Sequence, residues 1–337
     1  HWHTPSGSLV PRGAIADHLT FGGRPIFFPG TLDDYEGQGG RWGKLPSLDD
    51  HYYFIEMAWW LVMQHGEKDL LDTPVAGMPL IDRLDLAFGV PPSRPDTGLV
   101  WCDEHNRGVS FGFVDSIFHT GELLFCSLLK CRAAGQLAQL HQLRGAEEAA
   151  RCYERIARTL NETIPATFAD QEGWLRASTG KSSQPDVWGC ALAVYAGLLD
   201  QATRQRLCAL LCAAYTSGSL SWRGGIRHVP TGADHRRHSA WEETVSPYPK
   251  NRYQNGAYWS TPTGWVCFAL AQVSPRIARR LALELIATLR EGDFRQGAAW
   301  GAPFECAHPE GDHQQNPVYL TSVTCPLAAF RRLGWVD

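Results

Sequence analysis

The chain is short of several things, and each shortage closes off a class of function. It has no apolar run approaching the length of a membrane span, so no transmembrane helix and no membrane partner are expected. Basic residues are few and scattered: 31 Lys and Arg stand against 35 Asp and Glu, a formal charge of −4. Nucleic acid is not expected as a partner, since phosphate binding needs a basic face. Charged residues reach only 20% and hydrophobic residues 44%, which excludes a disordered chain. The ten cysteines lack zinc spacing, and Cys126, Cys131, Cys208 and Cys212 sit among apolar neighbours as buried thiols do. His235 to His238 (HRRH) and Asp312 to Asn316 (DHQQN) lack a usual ligand set, so no metal and no cofactor are expected. No secretion signal is legible, and with the unpatterned cysteines this points to a cytoplasmic setting. LVPRG at residues 9–13 matches a protease-cleavage sequence, while Trp2 and His3 read as native.

What is abundant is tryptophan, 13 residues against 3 Met. Tryptophan is a costly core filler and a good platform for the C–H faces of a sugar. Residues 1–46 are rich in Gly and Pro and read as an N-terminal loop and strand segment. From residue 47 onward helical periodicity dominates, giving one domain over 47–337. The spacing predicts helices over about 47–66, 79–88, 114–143, 146–168, 186–199, 203–215, 259–272, 275–290 and 318–333. Gly66 suits a C-terminal cap, and Ser274 with Pro275 suits an N-cap followed by the first helical position. Short turns join these helices in pairs. Long loops rich in Trp, Gly, Asp and His separate the pairs, at 91–113, 169–185, 216–258 and 292–317. Loops of that length are usually functional. The pattern fits an all-α toroid of helical hairpins, with the long loops and minor β-hairpins gathered at one rim.

Several stretches carry candidate chemistry. In YQNGAYW, Tyr253, Gln254, Asn255, Tyr258 and Trp259 crowd amides and rings around Gly256, the combination that binds sugar hydroxyls and faces. In SLDDHYYFIEMAWW, Asp49 and Asp50 fall in the first turn of a capped helix, positions that suit a helix dipole. In GLVWCDEHN, a ring such as Trp101 packed on a neighbouring carboxyl, Asp103 or Glu104, would raise its pKa. In FVDSIFHTGELLF, Asp115, His119 and Glu122 fall at i, i+4 and i+7 of the predicted helix and would share one face. Trp188, at the head of helix 186–199, joins the substrate-binding candidates.

These stretches, in this order, resemble the six-hairpin (α/α)6-barrel glycosidases. The closest likeness is to the inverting α-glucosidases of the glycoside hydrolase family 63 and trehalase type, over roughly residues 45–335. The resemblance implies a rim Asp at Asp49 or Asp50, a general acid at Asp103 or Glu104, and a sugar-subsite wall at NGAYW. It also implies a general base at Glu305, in GAPFECAHPEGDHQQNPVYLTSV, with Glu310 and Asp312 solvated on the turn. Asn255 stands where the family commonly has an Arg, and Cys102 separates a Trp and an Asp that the family usually keeps adjacent.

The implied activity is exo-acting, inverting hydrolysis of an α-glucoside-like bond in an oligosaccharide or glycoside. One carboxyl protonates the leaving oxygen and one carboxylate activates water from the opposite face, with about 6.5–9.5 Å between them. Rival readings on the same toroid are an unsaturated-uronyl hydrolase using Asp115 and a sugar epimerase using paired histidines such as His119, His228, His235, His238, His308 and His313. A catalytically inactive saccharide-binding protein is a third. Glu242 is a reserve acid or base.

Overall fold

The computed structural model describes residues 2–3, 9–23, 25–27, 47–105, 117, 119–233, 249–296 and 301–337. The chain gathers into two compact units: His1–Asp115, His119–Thr167 and Ser178–Gly180 form one, and Ser116–Phe118, Phe168–Ala177 and Lys181–Asp337 the other. Nine α-helices and thirteen short strands occur among the described residues. The class is all-α, built of helical hairpins with minor β-hairpins, as the periodicity predicts.

The first unit carries helices α1 (Asp50–His65), α2 (Leu80–Phe88), α3 (Leu124–Leu143) and most of α4 (Glu147–Phe168). Four two-stranded hairpins accompany them: β1 (Trp2–His3) with β2 (Leu9–Val10), β3 (His18–Leu19) with β4 (Pro25–Ile26), β5 (Pro74–Val75) with β6 (Met78–Pro79), and β7 (Trp101–Cys102) with β8 (Gly121–Glu122). The central element is α3, which packs against α1 and α2. Its Leu128, Ala133, Ala134 and Leu137 are fully buried or nearly so, and each full Leu burial contributes about 1.5–3 kcal/mol. Facing residues include Tyr52 and Ile55 of α1 and Ile81 and Leu84 of α2, all at most 1% exposed. Tyr153 of α4 stacks on His141 of α3 at 5.5 Å and donates a hydrogen bond to Asp85 of α2.

The LVPRG stretch is part of this unit. Val10 is buried, and the Ile15 amide just beyond donates to His51 Nε2 at 3.2 Å. Helix α1 ends at Gly66 with a left-handed cap, as predicted. Its start lies three positions after the 47 of the sequence reading. Asp49 is the N-cap and Asp50 the first helical residue, and Ser47 instead hydrogen-bonds the Asp50 side chain.

The second unit holds α5 (Val187–Ala196), α6 (Gln201–Thr216), α7 (Thr263–Ala271), α8 (Pro275–Glu291) and α9 (Thr321–Arg332). Helix α7 is apolar all round and packs against the other four. The Ser274 cap follows the sequence reading, whereas Asp200 opens a helix that the periodicity starts at 203. Asp200 accepts from the amides of Ala202 and Thr203, and Ser274 accepts from Ile277 with Pro275 at the first position. A five-stranded antiparallel sheet completes the unit: β9 (Ser221–Trp222), β10 (Gly225–Ile226), β11 (Tyr258–Trp259), β12 (Phe304–His308) and β13 (His313–Pro317), in spatial order 13-12-11-10-9. Cys126, Cys131, Cys208 and Cys212 are buried free thiols, as read from their neighbours. No described helix is long and apolar enough to cross a membrane.

Candidate functional site

In the second unit the sheet draws together three distant loop segments. Arg223 and Gly224, both at positive φ, turn β9 into β10 as a two-residue hairpin. Ile226 then pairs with Trp259, and Tyr258 and Trp259 pair with Ala307 and Cys306. The YQNG stretch thus lies beside the strand of Glu305. It forms a closed turn in which the Asn251 amide donates to Asn255 O at 2.7 Å and the Asn255 amide to Arg252 O at 2.8 Å. Gly256, at φ 108°, takes a backbone conformation that suits glycine, and its carbonyl accepts from Arg227 Nε at 2.8 Å. Glu310, expected to be solvated, is exposed but ties this turn down: its carboxylate accepts from Asn251 Nδ2 at 2.5 Å and its carbonyl from Arg252 at 2.7 Å.

Glu305 is 5% exposed on β12. Its Oε2 accepts from Asn316 Nδ2 at 2.5 Å, across the strand pair, and the Tyr319 side chain supplies a second hydrogen bond. Burial raises its pKa above the usual 4.5, and the bonds from Asn316 and Tyr319 hold back part of that rise. A desolvated carboxylate so held is a stronger base than one in water. Tyr258 is half-buried, with His308 stacked on it at 5.5 Å and the Arg227 guanidinium 5.6 Å from its ring centre. A cavity of about 40 Å³, lined by Trp222, Gly225, Tyr258, Phe304 and Cys306 among others, is of water size.

Four substrate-binding candidates of this unit are buried. Trp188 and Trp259 are 0% and 1% exposed. The Trp188 ring stacks on His228 at 3.4 Å and meets Trp259 edge-on at 5.3 Å, so both rings are core aromatics here and present no open stacking face. Gln254 and Asn255 are likewise buried, at 2% and 5%, within the closed turn. The physical reason is the sheet: pairing of β11 between β10 and β12 pulls the motif inward. Trp265 is buried, while Phe268 is half-buried under the Arg332 guanidinium at 4.6 Å.

In the first unit, Trp101 and Glu122 are cross-strand neighbours of β7 and β8. This corrects the helical-face reading of Asp115, His119 and Glu122: α3 begins at Leu124, so His119 and Glu122 precede it, and Asp115 lies outside the described residues. Backbone pairing of Gly121 and Glu122 with Trp101 and Cys102 outcompetes an extra helical turn. His119 is buried and its carbonyl accepts from Cys102 Sγ at 3.4 Å. Asp103 is half-buried and accepts from the His105 amide at 2.8 Å, while Glu104 is exposed. Asp49 is 4% exposed at the α1 N-cap. Burial, and then the nearby Asp17 carboxylate, push Asp50 up to about 6, against the Ser47 hydrogen bond and His18. His235, His238 and Glu242 lie outside the described residues.

Two charged groups escaped the sequence reading. Asp186 caps α5 at 2% exposure, accepting from the Gly189 amide at 2.8 Å; an Asp directly before an apolar helix was the available signal. Arg94 sits over the Trp101 ring at 4.0 Å and bonds Glu122, and nothing in its local sequence marks it.

No family model matches the chain, and no curated protein matches it in sequence. Among solved structures it is similar to a sialidase, with a TM-score of 0.52 and 16% identity over 76% of this chain and 23% of that one. It is also similar to the GH63 mannosylglycerate hydrolase from Thermus thermophilus. In complex with glucose the TM-score is 0.40 at 16% identity, over 62% of this chain and 47% of that one. In complex with Tris it is 0.40 at 17%, over 62% and 45%. The chain therefore spans about a quarter of the sialidase and under half of the hydrolase, and the likeness to the sialidase is one of fold.

Proposed function

We propose that the chain is a glycoside hydrolase, exo-acting and inverting, for an α-glucoside-like bond. The observation that carries this reading is Glu305: a carboxylate removed from water, oriented by Asn316 and Tyr319, on the strand next to the NGAYW motif. A fold shared with a chain named a sialidase supports placing the reaction at a glycosidic bond. The closer kinship to the family 63 and trehalase type rests on the order of the sequence motifs.

In the proposed mechanism Glu305 is the general base. Its carboxylate takes a proton from water as the water oxygen bonds to the anomeric carbon, from the face opposite the leaving group. The glycosidic C–O bond breaks as a general acid, for which the motif order offers Asp103 or Glu104, passes its proton to the leaving oxygen. Tyr258, in the unit of Glu305, is the proposed sugar contact, and the motif order makes Asp49 or Asp50, Asp115 and His119 candidates for the same role, with no metal or cofactor. The test is a panel of α-glucosides, with the first-released anomer followed by NMR. Release of the inverted anomer, abolished in Glu305→Gln, is expected. A retained anomer overturns the mechanism, and near-normal turnover in Glu305→Gln overturns the base.

A further inference from the structure

Arg94 is held unusually still for a partly exposed arginine. Its guanidinium lies over Trp101, with the carbon 4.0 Å from the ring centre, and its Nε donates to Glu122 Oε1 at 2.7 Å. The other Glu122 oxygen accepts from the Thr179 hydroxyl, which itself accepts from the Glu122 amide at 2.9 Å. The loop beneath is pinned as well. Lys130 Nζ donates to Ser93 Oγ at 2.6 Å and to Gly98 O at 2.8 Å, and Arg94 exchanges backbone bonds with Leu99 and Gly98. Yet the Arg94 side chain is 38% exposed, and among the described residues its two terminal amino groups donate to no protein acceptor.

We propose that Arg94 is a sugar-binding residue and that Glu122 sets its specificity for neutral sugars. This rests on the reading that the ligand is a sugar. The free edge of a guanidinium offers two parallel donors spaced for two oxygens, as in a vicinal diol, and the partly exposed Trp101 ring lies alongside for a C–H face. Glu122 cancels the charge that would otherwise draw an acidic sugar. Burial works against its ionisation, but the bonds from Thr179 and Arg94 outweigh it and hold its pKa below the ordinary value, so the carboxylate persists at neutral pH. Glu122 is therefore a positioning and charge-silencing group, not itself the sugar contact.

The experiment measures binding of methyl α-glucopyranoside and methyl α-glucopyranosiduronate to the full chain by saturation-transfer NMR and calorimetry. Wild type should take the neutral probe in preference. Arg94→Ala and Arg94→Lys should weaken it about tenfold or more, since Lys lacks the fork. Glu122→Gln should turn the preference toward the uronate. Binding of the neutral probe unchanged in Arg94→Ala, no binding of either probe to wild type, or an unchanged preference in a folded Glu122→Gln would each overturn the proposal. Should Glu122→Gln fail to fold, the exposed Arg94 variants decide alone. Binding that depends on Arg94 without any glycoside turnover would sink the hydrolase reading and keep this one. Turnover with an unaltered KM in Arg94→Ala would do the reverse.

Discussion

Asp186→Asn should stabilise the protein, and more so as pH rises. Asp186 caps α5 from a position 2% exposed, and burial pushes its pKa from 3.8 up to about 7, against the bonds from the Gly189 and Trp188 amides. Because the folded value lies above the unfolded one, the stability contributed by the protonated carboxyl is complete below about pH 4. It is lost progressively as pH rises to about 7. The displacement of about three pH units, at about 1.4 kcal/mol each, sets a ceiling of about 4 kcal/mol for the loss at full ionisation. Between pH 5 and pH 8 the gap between variant and wild type should widen by about 2–3 kcal/mol in favour of the variant. Asn caps a helix about as well as Asp and carries no charge to bury. Asp186→Ala supplies the control: it should lie about 1 kcal/mol below Asp186→Asn at either pH, for the lost cap, while sharing that variant's pH-dependent gain over wild type. Urea unfolding followed by tryptophan fluorescence at both pH values provides the measurement. Parallel curves, with the Asn variant offset equally at pH 5 and pH 8, would refute the reasoning, since a carboxylate ionised throughout carries no pH-dependent penalty.

Other outcomes follow from the same structure. Glu305→Gln should lower glycoside turnover by about 10²–10⁴-fold, with substrate binding far less changed, as steady-state and binding assays would show. Tyr319→Phe removes a hydrogen bond that lowers the Glu305 pKa, so the acidic limb of the pH–rate profile should move to higher pH; an unmoved limb counts against Glu305 as base. Gly121→Ala would put a Cβ 2.5 Å from Thr179 Oγ1 and 2.7 Å from the Gly180 nitrogen, at φ 82°, and should cost about 2 kcal/mol or more in denaturant unfolding. Leu137→Ala, at a fully buried site on α3, should cost about 2–5 kcal/mol by the same assay.

The helices are legible because each carries a local signal. Ser274 and Pro275 open α8, Gly66 closes α1, and apolar spacing fills the spans between. Sequence and structure part where two-residue strands meet helices. Periodicity puts the α3 start at about 114, whereas it lies at Leu124, and the α7 start at 259, whereas it lies at Thr263. Gly121–Glu122 and Tyr258–Trp259 are too short to show a period of two, and their partners sit far away in sequence. The site suffers for the same reason. An amide-and-ring cluster such as YQNGAYW looks alike whether it faces a ligand or is drawn into a sheet, and only the pairing of β11 tells the two apart. Arg94 is invisible in the sequence because its partners, Trp101 and Glu122, are chosen by tertiary approach rather than by spacing.

The five-stranded sheet has a consequence for the order in which this protein assembles. Its helical hairpins, such as α5 with α6 and α7 with α8, close over short stretches of chain, whereas β9 to β13 unite residues 221–226, 258–259 and 304–317. Contacts spanning such separations are slow to form, and small sheets of short strands sit toward the low end of local stability. The surroundings of Glu305 are therefore a late product of folding and an early casualty of heating. A preparation can regain its full helical circular-dichroism signal while the strand pairing around Glu305 is still incomplete. For this chain, the strand pairing around Glu305 rather than helix content measures how much of a sample is native.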